Sequence, residues 1–396
     1  MISVEEAQAR VCGNIRALAH ETVALTDAAG RVLAGPLTAR RSQPPAAVSA
    51  MDGYAVRAAD IASVPVTLRM VGAVAAGGAY EGTLQPGECT RIFTGAPLPA
   101  GADTIVIQED TEADGDRITM KEAEPLGRHV RKAGLDFGEG DARLAAGTVL
   151  SPRMLALAAA MNHPWLSVIR RPRVAILATG DEIVFPGEPI GPSQIVASTS
   201  TSLAGFVAAN GGEPVLLGVA RDTVASLREA AAAARDADVL VTIGGASVGE
   251  HDLVQTALKE EGLEVDFWKI AMRPGKPLMV GRLGGTQVLG LPGNPVSSLV
   301  CAVLFLRPLL YALQGRAGGV PSPVMMPAGG DINPNGIRQD YMRARFRGGG
   351  PVPFSVQDSS MLTALAEADG LIVRPPNAPA VSAGEAVPVL PLDGLL

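Results

Sequence analysis

The apolar residues follow two periods along the chain, and the changes of period mark out its parts. Residues 3–18 (SVEEAQARVCGNIRAL) have helical spacing, with Ser3 as N-cap and Glu6 three places on as its capping-box partner. A proline-rich, loop-like stretch follows, SQPPAAVSAMDGYAV. From residue 64 to about 127, short β-type runs (VTLRMVG, CTRIFTG, DTIVIQED, DRITMKE) alternate with Gly, Pro and Asp turns and predict a small β-rich module. Residues 152–161 (PRMLALAAAM) read as a helix. From residue 173 to about 313 the pattern becomes α/β. RVAILATG, VLVTIGG and QVLGLPG read as buried strands, and residues 200–210 and 225–236 as helices, the first closed by Gly211-Gly212. Apolar strands alternating with helices predict a doubly wound parallel sheet, whose ligands sit at the carboxyl ends of the strands. Residues 315–323 (GRAGGVPSP) read as a linker, and the proline-rich tail as a small β-domain.

The motifs with candidate chemistry fall mostly where those strands end. SAMDGYA is either an Asp-Gly turn or the setting of an active-site carboxylate, Asp52. FTGAPLPAGADTIVIQED is either a proline-stiffened connection or a rigid loop whose Thr94-Gly95 amides face an anion. In LATGDEIVFPGEPI, the small residues Thr179 and Gly180 let backbone approach a ligand, and Asp181 and Glu182 are adjacent carboxylates suited to Mg²⁺. TIGGASVGEHD contains a GxSxG match, Gly245 to Gly249 around Ser247. The hydrolase order that match requires fails, because no histidine follows His251. The motif reads instead as a Gly/Ser loop for a phosphate or a polar ring, with Glu250 and Asp252 beside it. MRPGKPLMVG displays Lys276 on a Pro274-Gly275 turn but is no Walker A loop. GLPGNPVSS joins a strand to an apolar helix, with Asn294 as N-cap and Pro295 in the first turn. Such a start is either a well-capped helix or an anion site. Together these features describe an enzyme for a phosphorylated or oxyanionic substrate, assisted by a divalent cation.

Composition narrows the field. Hydrophobic residues make up 47% of the 396 and charged residues 18%, enough for large cores and incompatible with disorder. Forty acidic against 33 basic residues give a net charge of −7, which argues against a general nucleic-acid binder. Cys12, Cys89 and Cys301 lie far apart, so neither a zinc finger nor a disulfide framework is expected. The start, MISVEEAQARV, is not expected to be a signal peptide. The apolar stretch from Leu299 to Leu313 contains Arg307 and Pro308 and is expected to be too short and interrupted to span a bilayer. A cytoplasmic protein without nucleic-acid or membrane partners is therefore expected.

In order along nearly the whole chain, SAMDGYA, FTGAPLPAGADTIV, the Gly134–Asp136 step, ATGDEI, GGASVGEHD, RPGKP, GLPGNPVSS, RQDYMRARF and SSMLTALAEADGLIV resemble the MoeA family of molybdopterin molybdenumtransferases, which includes the E domain of gephyrin. The resemblance implies the last step of molybdenum cofactor synthesis. Molybdate enters adenylylated molybdopterin, the phosphoanhydride is hydrolysed and AMP leaves, assisted by Mg²⁺ or another divalent cation. It implies an elongated homodimer, with the molybdopterin adenylyltransferase and apo-molybdoenzymes as possible partners. The implied fold is α/β multidomain. Residues 1–40 with 128–170 form a discontinuous N-terminal domain for dimerisation, 41–127 a β-rich insertion, 171–316 a doubly wound pterin-binding domain and 317–396 a C-terminal β-domain.

By position, the resemblance gives functional roles to Asp52, Asp136, Glu182, Asp222, Asp252 and Lys276, with Glu182 and Asp252 holding the cation and Lys276 facing an oxyanion. Arg338 and Ser359 match residues linked to molybdate. Thr94, Gly95, Thr179, Gly180, Gly245, Ser247, Arg273, Pro292, Gly293, Asn294 and Ser297 complete the expected substrate contacts. The chain departs from the family at Arg273, where lysine is usual, at Ala197, where an acid or amide is usual, and at Thr199, where asparagine is usual. The last two changes raise a second reading, a non-catalytic carrier of the cofactor. A third, the preceding adenylyltransferase, is disfavoured by the β-rich insertion and the tail.

Overall fold

The computed structural model describes residues 1–244 and 253–396, which divide into two compact units. One comprises Met1–Glu21, Gly30–Val32 and Val168–Leu396, and the other Thr22–Ala29 and Leu33–Ser167.

At the heart of the first unit is a six-stranded sheet. Its order is Glu213–Ala220, Arg173–Thr179, Val239–Ile243, Thr286–Leu291, Pro277–Leu283, Leu263–Lys269. Side chains alternate across it. Val174, Ile176, Val239, Val241, Leu289 and Leu291 enter one core, and Ala175, Leu177, Leu240 and Val288 the other. Helices Val4–Cys12, Ser198–Ala209 and Pro295–Cys301 cover the first face, and Val224–Ala233 and Leu253–Glu260 the second. The first four strands are parallel, as expected of strands buried on both faces. The other two join by antiparallel pairing, with Pro277–Leu283 running against both its neighbours, so the sheet is mixed. The cause is the two-residue Gly284-Gly285 hairpin, which reverses the chain between Leu283 and Thr286 with Gly284 at φ +59°.

Two predicted helices have different ends. The first spans Val4–Cys12 rather than residues 3–18. Ser3 Oγ accepts from the Glu6 amide as the capping box requires, but Gly13 ends the helix and Asn14 turns left-handed at φ +62°. The apolar helix begins at Pro295 and runs through a π segment, Ala302–Leu306, to Leu313. At 19 residues it is long and apolar enough to cross a membrane, which corrects the expectation drawn from length. Its burial marks it as a core helix, since 83% of that stretch is inside the fold.

The first unit also carries a sheet ordered Met272–Arg273, Gln339–Arg347, Gly370–Arg374, Ala386–Pro391, Val324–Pro327 around Ala344, Ile372, Val387 and Val389. Its edge strand, Met272–Arg273, comes from the α/β segment and pairs in parallel with Gln339 and Asp340. The second unit is built on the sheet Thr104–Ile107, Gly53–Val56, Glu88–Ile92, Val66–Val74, Arg117–Met120, Thr111–Asp114. Four of these strands fall on the β-type runs read from the sequence. Thr111–Asp114 lies just beyond one, and Gly53–Val56 corrects the loop reading of SQPPAAVSAMDGYAV, because it pairs on both sides with Glu88–Ile92 and Thr104–Ile107.

Candidate active site

Four parallel strands end at one edge of the α/β sheet, and the small residues there have steric causes. Gly180 sits at φ +136°, and a Cβ on it would lie 2.5 Å from the Glu182 carboxylate. That carboxylate is the end of a flexible side chain, so the positive φ is what most favours glycine here. Thr179 is buried, and its hydroxyl donates to the Ile243 carbonyl at 3.2 Å, tying neighbouring strand ends together. A Cβ on Gly293 would be 3.7 Å from the Gly244 Cα, so the Pro292–Asn294 loop lies against the end of the central strand.

Acids gather at this edge. The Asp222 amide donates to Asp181 Oδ1 at 3.3 Å. Burial, then the charges of Asp181 and Glu182, push the Asp222 carboxyl above the ordinary aspartate range. Asp181 is read from the sequence only as a cation candidate, and its link to Asp222 crosses 41 residues. Gly245, Ser247 and Asp252 lie outside the described residues. Among the described residues, no group of three or more His, Cys, Asp or Glu side chains is placed to hold a metal.

Cations line the adjoining edge. The strand Pro277–Leu283 begins beside the end of Thr286–Leu291, because Met279 is paired with Gly290. Lys276 is thereby displayed, exposed, at the carboxyl ends of the parallel strands. Its turn is fixed from below: Gly275 has φ +105°, and a Cβ there would be 2.6 Å from the buried Cys301 Sγ. Burial pushes the Cys301 thiol far up, so it is a packing group rather than a nucleophile. Arg273 is exposed, and Arg338, half-buried, lies in the bend that leads into the strand paired with it.

The helix start at Pro295 differs from the expected anion site. Asn294 occupies the N-cap position, but its side chain does not cap the helix. Its Nδ2 donates to Ser359 Oγ at 2.9 Å, and the Val296 amide donates to the Ser359 carbonyl at 3.1 Å. One free N–H of the helix start is thus occupied by the tail. Ser297 is buried at 4% exposure, Pro292 is buried and Gly293 is exposed.

In the second unit, Asp52 directly precedes the strand Gly53–Val56. Gly53 is no turn glycine: a Cβ there would strike the Val106 carbonyl at 2.0 Å, so close strand approach demands it. The Thr94 amide and hydroxyl each donate to Asp52 Oδ1 at 2.7 Å. Those two bonds, with the Arg91 charge, hold the Asp52 carboxyl below its ordinary value. The Gly95 amide, at φ +81°, donates to the Ser49 carbonyl at 2.9 Å. Both loop amides therefore face protein acceptors. Asp136 is exposed, and its amide donates to the Gln43 carbonyl at 2.9 Å.

Comparison with known proteins matches residues 2–162 to the MoeA N-terminal region (domain I and II), 175–312 to a probable molybdopterin binding domain and 326–392 to the MoeA C-terminal region (domain IV). Molybdopterin molybdenumtransferase 2 of Mycobacterium tuberculosis is 38% identical, over 97% of this chain and 98% of its own length. Molybdopterin molybdenumtransferase of a Nostoc species is 37% identical, over 94% of this chain and 88% of its own. The crystal structure of a molybdopterin biosynthesis MoeA protein from Pyrococcus horikosii superposes with a TM-score of 0.88 at 32% identity, covering 99% of each chain. With its ordered motifs, its α/β sheet and its relatedness along nearly its full length, the chain belongs to the MoeA family of molybdopterin molybdenumtransferases.

Proposed function

We propose that this chain inserts molybdate into adenylylated molybdopterin, with hydrolysis of the phosphoanhydride and release of AMP, in molybdenum cofactor biosynthesis. The observation that carries the reading is the gathering of acids, cations and the Asn294–Ser359 pair along the carboxyl ends of the parallel strands. Arg338, Arg273 and Lys276 would donate to the tetrahedral dianion, together with the Ser359 hydroxyl that Asn294 orients. Glu182 and Asp252 would hold the divalent cation. Asp181 and Asp222 add carboxylate charge beside Glu182, close enough to act on one another though not placed with it as a three-carboxylate metal site. When bound, that cation supplies charge neutralisation beside the diphosphate. Thr94 keeps Asp52 ionised and in one orientation, available as a proton acceptor.

The same reading keeps Asp136 as a functional acid and Thr179, Gly180, Gly245 and Ser247 as substrate contacts. It divides the chain at about residues 41, 128, 171 and 317 into the discontinuous first domain, β-rich insertion, pterin domain and tail domain. It also entails a cytoplasmic homodimer that receives its substrate from an adenylyltransferase and passes its product to apo-molybdoenzymes. The carrier alternative arose from Ala197 and Thr199. Both are buried at 7% exposure around the start of the helix Ser198–Ala209, where they serve packing, and full-length relatives named as transferases favour the enzyme.

The test is AMP release from adenylylated molybdopterin and Mg²⁺, with and without molybdate. Molybdate-dependent AMP release, with cofactor activity transferred to an apo-molybdoenzyme, is expected. Tight nucleotide binding without AMP release under any divalent cation would overturn the enzyme reading.

A further inference from the structure

Strand register in the C-terminal sheet places a carboxylate between arginines. Asp340 is paired with Arg273 on one side and with Arg374 on the other. Residues paired across neighbouring strands project from the same face, and Arg338, in the bend just before the strand, is close enough to act on the Asp340 charge. Two guanidiniums on one face, and a third from the bend beside it, therefore act on a single acid. Among the described residues, none of the three makes an ion pair with it. Arg374 is buried at 4% exposure, one of its terminal nitrogens donates to the Pro379 carbonyl, and its Nε has no hydrogen-bond partner. Beside the rung lies a recess of about 70 Å³ lined by Arg273, Pro274, Asp340 and Gln357, among others. Gln357 is a fixed wall, because its amide accepts from the Arg343 backbone at 3.0 Å and donates to the Arg343 carbonyl at 2.9 Å.

We propose that Asp340 is a specificity-determining residue, a built-in counter-charge that lowers the oxyanion affinity of the Arg273–Arg338–Arg374 rung so that a tetrahedral dianion is captured and then passed on. The inference rests on the reading that Arg273 and Arg338 receive molybdate. Without an acid, three cations would hold any abundant divalent oxyanion tightly. With one, the net field is reduced and the incoming dianion must compete with a charge the fold supplies. Burial and the three arginines act on Asp340 in opposite directions, and burial is the larger. A carboxylate serving mainly to hold the arginines would instead be in direct contact with them, as Asp238 is with Arg170 at 2.6 Å.

The test is calorimetric titration of the full chain with molybdate at fixed ionic strength, alongside the molybdate dependence of AMP release. Asp340→Asn keeps the shape and removes the charge. It should bind molybdate about threefold or more tightly, with a lower KM for molybdate and no gain in kcat. Asp340→Glu, which keeps the charge, should stay close to the parent. Unchanged or weaker binding by Asp340→Asn would overturn the proposal and make Asp340 a structural partner of the arginines. If Asp340→Asn fails to fold, Asp340→Ser gives the same readout. Arg338→Gln separates the two levels of inference. Lost molybdate binding keeps the site reading whatever Asp340 does, and an unchanged Kd removes the site reading and this proposal together.

Discussion

Gln8 Nε2 donates to the Leu304 carbonyl at 3.1 Å, across 296 residues of sequence. In a regular helix that carbonyl would accept from the amide of residue 308, but residue 308 is Pro308, which has no N–H. The helix passes this point as a π segment, with the Arg307 amide reaching back to the Ala302 carbonyl. The N-terminal helix therefore supplies, through one side chain, the donor that the core helix lacks.

Gln8→Leu should cost about 1–2 kcal/mol, because it leaves a part-buried carbonyl without this donor. The cost should shrink when Pro308→Ala restores a backbone donor. Denaturant melts of the two single variants and the double variant measure the coupling. Independent, additive effects would mean that the Gln8 bond does not compensate for the proline.

Gly180→Ala tests why a glycine stands beside an acid. The left-handed φ should cost about 1–3 kcal/mol of stability. The added methyl would also press on the Glu182 carboxylate, a flexible end that can move aside. The fold should survive while AMP release falls about tenfold or more, if Glu182 must sit where it does. Full activity in a folded variant would mean that the position of Glu182 is not critical.

What could be read in the sequence, and what could not, follows from the range of the interaction. The Ser3–Glu6 cap is local, and the strands RVAILATG and VLVTIGG announce their burial as unbroken apolar runs. The strand Pro277–Leu283 was hidden behind its Pro-Gly-Lys turn, although the Gly284-Gly285 pair between two apolar runs was a usable hairpin signal. Asp52 and Thr94 were both candidates, but their contact spans 42 residues and appears only when two strands pair. Asp340 and Arg374 passed unnoticed because their meaning is one of register: no spacing along the chain shows that a strand will place Arg273 and Arg374 on either side of one acid. The occupied helix start has the same cause, since the Ser359 carbonyl comes from 63 residues beyond Val296.

Thr94→Val deletes one of the two donors to Asp52 Oδ1 and keeps the amide. The Asp52 carboxyl should then move up toward the ordinary aspartate value, and Thr94→Ser should restore it. Carboxyl-carbon NMR titration of Asp52 reads this directly. The sign for stability follows from the depressed native value. The contribution is present above the unfolded-state pKa and is lost as pH falls through the lower native one. The parent should therefore lose more stability than Thr94→Val on acidification below the ordinary aspartate range. Equal losses would show that the hydroxyl bond does not set the charge of Asp52.

Asp222→Asn removes one of three like charges at the strand ends. The native Asp222 carboxyl is raised, first by burial and then by Asp181 and Glu182. Its ionised form is therefore less favourable in the fold than in the unfolded chain. That penalty is absent below the unfolded-state value and sets in as pH rises through the raised native one. In cation-free buffer at neutral pH, Asp222→Asn should melt slightly higher than the parent, and the gap should close on acidification. Mg²⁺ should reverse the order. A cation held through Glu182, beside Asp222, would stabilise the parent by mass action and the variant less, because the variant has one negative charge fewer near it. AMP release should fall about tenfold or more in the variant. Thermal melts with and without Mg²⁺ measure both arms, and a variant that melts lower without cation would show that Asp222 is held by favourable contacts rather than strained by its neighbours.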